Sequence, residues 1–129
     1  MTDLEKLKLM SIKIISVDFD HTLSLDGNFP DIGRPNTRLI QYLINARTHG
    51  IKVILNTMRE GEILDKAVAW CKAQGLEFDA INDNLPEMQE LYGNNPRKIS
   101  ATWYIDDCNA VIKGLGKPLP DLSKYGKKK

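Results

Sequence analysis

Asp18 and Asp20 stand two residues apart, at the end of the apolar run Ile12-Lys13-Ile14-Ile15-Ser16-Val17. Side chains i and i+2 of an extended segment point to the same face, so both carboxylates are expected to crowd into one site. Like charges held that close are costly unless a cation or a proton intervenes. Compensating groups stand elsewhere: Thr57 after a second apolar run, Lys98, and the pair Asp106-Asp107 after a third. Carboxylates, a hydroxyl and an ammonium in this dispersed order point to metal-assisted phosphoryl transfer through an aspartate.

Such residues need elements that bring them together. Strand one is expected over 12–18, after a short helical or frayed segment carrying Leu4, Leu7 and Met10. Gly27, Pro30 and Gly33 mark residues 21–34 as a turn-rich loop or tight hairpin. A helix follows Pro35, with Leu39, Ile40, Leu43 and Ile44 as its apolar stripe, and stops at His49-Gly50. Strand two covers 51–56, helix two 60–74, strand three 78–81, a further helix 86–92 and strand four 102–105. Strands alternating with helices, the strands nearly all apolar, predict an α/β fold: a three-layer α/β/α, Rossmann-like parallel sheet covered on both faces. Ligands of such sheets sit beyond the carboxyl ends of the strands. Asp18, Thr57 and Asp106 all fall there.

Composition narrows the class. The 129 residues make one domain, with its core over about 12–113 and a flexible tail over about 117–129 that ends in Lys127-Lys128-Lys129 and is given no role. A net charge of +1 gives nucleic-acid binding no bulk electrostatic support. The apolar runs are too short to span a membrane, and the N-terminus has no uninterrupted apolar stretch of a secretory signal. Cys71 and Cys108 make neither a disulfide framework nor a zinc site, so a cytoplasmic protein with reduced thiols is expected.

The pattern resembles the HAD (haloacid dehalogenase-like) hydrolase superfamily, mostly magnesium-dependent phosphatases. The family's D-x-D-x-T matches Asp18-Phe19-Asp20-His21-Thr22, its strand ending in Thr or Ser matches Leu55-Asn56-Thr57, its Lys matches Lys98, and its acid pair matches Asp106-Asp107. The chain is most similar to small members without a cap domain that carry T-x-R-x-G-x-x-L, here Thr57 to Leu64. The resemblance implies Asp18 as nucleophile and Asp20 as general acid and base. It implies Mg²⁺ held by the side chains of Asp18 and Asp106 and the backbone carbonyl of Asp20, with Asp107 orienting the metal or its water. Thr57 and backbone N–H groups near Met58 would bind the phosphoryl oxygens, and Lys98 would stabilise charge developing in flight. The substrate would be a phosphorylated small molecule or an exposed phosphate terminus.

Several residues have competing readings. Arg97 rivals Lys98 as the cation. Arg59 either grips substrate or pairs with Glu60 and Glu62. His21 reads as a solvated loop residue, Cys108 and Asn109 as a helix start, and Trp70 as packing. Trp103 and Tyr104 should pack on opposite faces of strand four. A receiver-type signalling domain uses similar residues, but its acid pair leads and its lone Asp follows, the reverse of this order. A non-catalytic binding subunit would lack part of the constellation, and none is missing. Phosphotransferase and nucleic-acid end phosphatase remain open on the same site. The intervals Leu23 to Pro35 and Thr57 to Lys98 leave no room for a cap. Substrate grip should therefore come from a flap at Leu25–Ile32, from Arg59, or from a neighbouring subunit of a homo-oligomer.

Overall fold

The computed structural model describes residues 2–92, 101–106, 111–113 and 122. Four parallel strands are ordered β3-β2-β1-β4: β1 (Ile14–Val17), β2 (Lys52–Leu55), β3 (Ala80–Ile81) and β4 (Trp103–Asp106). β1 lies at the centre, paired in register with β2 from Ile14↔Lys52 to Val17↔Leu55 and with β4 from Ile15↔Trp103 to Val17↔Ile105. A fifth strand, β5 (Val111–Lys113), runs antiparallel along the outer edge of β4. The parallel sheet matches the sequence expectation, and β5 is an addition to it. Three residues on an edge strand carry too little alternation to be read from sequence.

Helices α2 (Thr37–Thr48) and α3 (Gly61–Ala73) cover one face. Their Leu39, Ile40, Leu43, Ala46, Ala67 and Cys71 pack with Ile15, Val17, Val53, Leu55, Trp103 and Ile105 in the main core. The other face is smaller: Ile14 and Ile54 meet Leu85 and Met88, the latter on α4 (Pro86–Tyr92), which in turn contacts α1 (Asp3–Met10). The ends of α2 follow the residues that favour them. Asn36 caps α2 by accepting from the Leu39 N–H, and Gly50 (φ 82°) takes the left-handed position after it. Trp70, partly buried, packs edge-on against Phe19 at 5.5 Å, at the edge of the core. None of the described helices is long and apolar enough to cross a membrane.

Between β1 and α2 the chain forms the expected turn-rich loop, tied by isolated bridges at Asp20↔Ser24 and Ser24↔Pro35. Gly27 and Gly33 back onto one another so tightly that a Cβ on either would overlap the other's backbone nitrogen. The Ser24 hydroxyl accepts from the Gly33 N–H at 2.8 Å and closes the flap at its base. Within 57–92 the chain forms α3, β3 and α4 in short succession, with no cap among the described residues.

Candidate active site

Pairing of the central strand continues one residue past its end. The Asp18 N–H donates to the Ile105 carbonyl at 3.0 Å, and the Asn56 N–H to the Val17 carbonyl at 2.9 Å. This sets Asp18 beside Asp106 on one side and the Thr57 loop on the other. The Phe19 N–H donates to Asp18 Oδ1 at 2.8 Å and holds the carboxylate.

From there the alternation stops. The Phe19 carbonyl accepts from the N–H groups of Thr22, Leu23 and Ser24, folding the chain into a tight turn in which His21 takes φ 61°. The i, i+2 rule holds only while the backbone stays extended, and here it fails at Asp20. The Asp20 carboxylate is gripped by Arg59, Nε to Oδ2 at 3.0 Å and Nη2 to Oδ1 at 2.8 Å. It does not line the cavity that Asp18 lines. The expectation that both carboxylates share one pocket is corrected on this point. Arg59 is corrected as well: it neither reaches out to a substrate nor pairs with Glu60 and Glu62. Its side chain is 1% exposed and bound to Asp20. His21 is exposed, as expected, and its imidazole lies close enough to act on Asp18 electrostatically.

The loop after β2 is fixed by a residue that sequence reasoning missed. Asn82, in the left-handed conformation (φ 53°) just past β3, accepts the Thr57 N–H on Oδ1 at 2.7 Å and donates from Nδ2 to the Arg59 carbonyl at 3.4 Å. The Arg59 N–H in turn donates to Thr57 Oγ1 at 3.2 Å. With that lone pair engaged, the Thr57 hydroxyl proton can be donated elsewhere. Among the described residues the N–H groups of Thr57 and Arg59 are both used, while that of Met58 has no partner. Met58 itself is 97% exposed at the rim. The signal for Asn82 was its place, an amide one residue beyond a strand at the same sheet edge.

These groups surround a cavity of about 240 Å³ walled by Asp18, Thr57, Met58, Asn56, Tyr104 and Asp106, with Ser16 and Ile105 below. Tyr104 faces this cavity while Trp103 packs in the core on the opposite face, as expected from their alternation. Burial pushes the Asp18 carboxyl above its usual range, and the charges of Asp20 and Asp106 push it the same way. The Phe19 N–H and His21 pull it down without reversing the direction.

Asp18 and Asp106 offer two carboxylates to one cavity. A small hard cation that keeps several waters needs little more, and it would relieve the repulsion felt by Asp18. The donor set therefore fits Mg²⁺, although no three His, Cys, Asp or Glu side chains converge among the described residues. The remaining expected groups, Lys98 with its rival Arg97, and Asp107 with Cys108 and Asn109, lie outside the described residues, as does the tail 123–129. A larger cavity of about 300 Å³ opens at the opposite end of the sheet, against Arg47, Lys52 and Asp79. Its carboxylate is structural: Asp79 takes both Arg47 Nε and Nη2, and the Val53 N–H at 2.8 Å.

No family model and no curated protein matches the chain. Among solved structures, a conserved protein from Bacteroides thetaiotaomicron is similar, at 34% identity and a TM-score of 0.66, over 88% of this chain and 86% of that one.

Proposed function

We propose that this chain, which belongs to the same family as the conserved Bacteroides thetaiotaomicron protein, is a HAD-type phosphatase that hydrolyses a phosphate monoester through an aspartyl phosphate on Asp18. The observation that carries this reading is the meeting of Asp18, Thr57 and Asp106 around one cavity at the carboxyl ends of parallel strands. Mg²⁺, held by Asp18, Asp106 and the Asp20 carbonyl, would offset the repulsion between a carboxylate and a phosphate dianion.

Asp18 is suited to attack because the Phe19 N–H holds one of its oxygens and leaves the other for phosphorus. As that O–P bond forms, the ester P–O bond breaks and the departing alkoxide takes a proton from Asp20. Water then attacks the phosphorus, Asp20 recovers a proton from it, and the Asp18 carboxylate is released. The Thr57 hydroxyl and the Met58 N–H donate to phosphoryl oxygens throughout. Lys98 is proposed as the cation that balances the transferring group. For its part in this scheme, Asp20 must turn from Arg59 toward the cavity.

The test is turnover of phosphate monoesters with Mg²⁺, in chelator, and with Asp18→Asn. Activity should vanish in chelator and return with Mg²⁺. Labelled phosphate should appear on Asp18 in the native protein and nowhere in Asp18→Asn. Full turnover in chelator, or label on another side chain, rejects the proposal.

A further inference from the structure

Arg59 is the largest fully buried side chain among the described residues, and it is charged. A guanidinium is tolerated in such a place only when its charge is countered and each N–H is hydrogen-bonded. Both conditions are met. Nε and Nη2 hold the two oxygens of Asp20, Nη2 also donates to the Asp31 carbonyl at 3.4 Å, and Nη1 donates to the carbonyls of Pro30 at 3.0 Å and Ile63 at 3.4 Å. The rings of Phe19 and Phe29 lie 4.8 and 5.1 Å from its central carbon. One group thus joins the turn after β1, the flap and the first turn of α3.

We infer that Arg59 is a positioning residue that binds Asp20 and the Leu25–Ile32 flap into one unit, so that neither moves without the other. The reason is the shape of the group. A guanidinium is a rigid planar fork, and its donors cannot be re-aimed one at a time. Nη2 is shared between Asp20 and a flap carbonyl, so lifting the flap pulls on the fork that holds the carboxylate. If instead Asp20 turns toward the cavity with the flap in place, it strands a buried cation without its counter-charge. The flap must shift to let water or another acceptor reach the guanidinium. That the release of Asp20 serves proton transfer rests on the phosphatase reading above; the coupling itself does not.

Two measurements test this. The first is amide hydrogen exchange in the flap at Leu25, Asp31, Gly33 and Arg34, whose N–H groups donate to Arg34 O, Asn28 O, Ser24 Oγ and Asp26 Oδ1. Asp20→Asn leaves the flap sequence untouched yet removes the charge that anchors Arg59. It should speed flap exchange by at least about tenfold, the equivalent of one lost charge-assisted hydrogen bond. Arg59→Lys should do the same, and the double variant should add little to either. Flap exchange at the native rate in Asp20→Asn overturns the coupling, whether or not Arg59→Lys folds.

The second is kcat/KM of Arg59→Lys on two monoesters, one with an alkyl leaving group and one with a nitrophenyl group that departs without a proton. Because Asp20 must leave Arg59 to give up its proton, altering the grip should change the alkyl value at least about tenfold and the nitrophenyl value less than about threefold. Equal losses on both mark a merely structural arginine and overturn the positioning role. If the native protein turns over neither ester while Asp20→Asn still loosens the flap, the phosphatase reading fails and the coupling stands.

Discussion

Asp18 is placed where a carboxylate is a burden to the fold. Burial raises its pKa, and Asp20 and Asp106 add to the effect. The sign of the consequence follows from linkage. Its folded-state pKa lies above the unfolded value, so stability is intact at low pH, where the group is protonated in both states. It declines as pH rises from the ordinary aspartate range through the raised value, and the full penalty stands above it. Asp18→Asn is neutral throughout and escapes that decline. Without Mg²⁺ it should therefore melt on the order of 3 °C above the native protein at neutral pH, with no difference well below the aspartate range. Thermal melts across pH check this. Saturating Mg²⁺ should raise the native melting temperature and leave that of Asp18→Asn nearly unmoved, because only the native site gains from the cation. Equal melting temperatures at neutral pH without metal would remove the argument. That Asp18, Thr57 and Asp106 would meet at one sheet edge was legible because each stands at or just past the end of an apolar strand. Asp20 was only half legible: its type was plain, but the turn that sends its side chain to Arg59 is made of hydrogen bonds to the Phe19 carbonyl. Arg59 was misjudged for a related reason, since a buried ion pair 39 residues apart leaves no periodic trace.

At the scale of elements, the Thr57 loop depends on a strand of two residues. β3 is the shortest strand of the sheet, yet it delivers Asn82 to the Thr57 and Arg59 backbones. Asn82→Gly separates the two properties of this residue. Glycine takes φ 53° without strain, so the backbone is preserved and only the amide is lost. The Thr57 loop should then loosen, and kcat/KM on a phosphate ester should fall about tenfold, the equivalent of one neutral hydrogen bond, with little change in melting temperature. Unchanged kcat/KM would show that Asn82 has no hold on the site. Helices α2, α3 and α4 were readable because apolar stripes and Pro or Gly boundaries are local features. β5 was not. A strand's partner is chosen by the sheet, and nothing within three residues announces it.

At the scale of the whole molecule, what matters is what stands over the cavity. Among the described residues the exposed Met58 stands at its rim, while the flap contributes no residue to its wall and is held down by Arg59. An enzyme that selects a small metabolite surrounds it, since discrimination between small groups requires contacts on most sides. On the proposed reading the phosphoryl group would meet Thr57, Met58 and Asp18, and the rest of the ester would extend beyond the cavity. Specificity constants should therefore vary little with leaving-group size. A series from a small alkyl phosphate to a phosphorylated peptide or an oligonucleotide with a terminal phosphate should keep kcat/KM within about tenfold, or favour the larger members by contacts beyond the cavity. A steep fall with size, or a sub-micromolar KM for one small ester in the monomeric protein, would mean that the site is closed by a segment or a subunit that the flap does not represent. Adding Met58→Ala to the series shows whether the rim takes part. If larger substrates gain from the exposed thioether, truncation should lower their kcat/KM severalfold and leave that of the smallest ester unchanged.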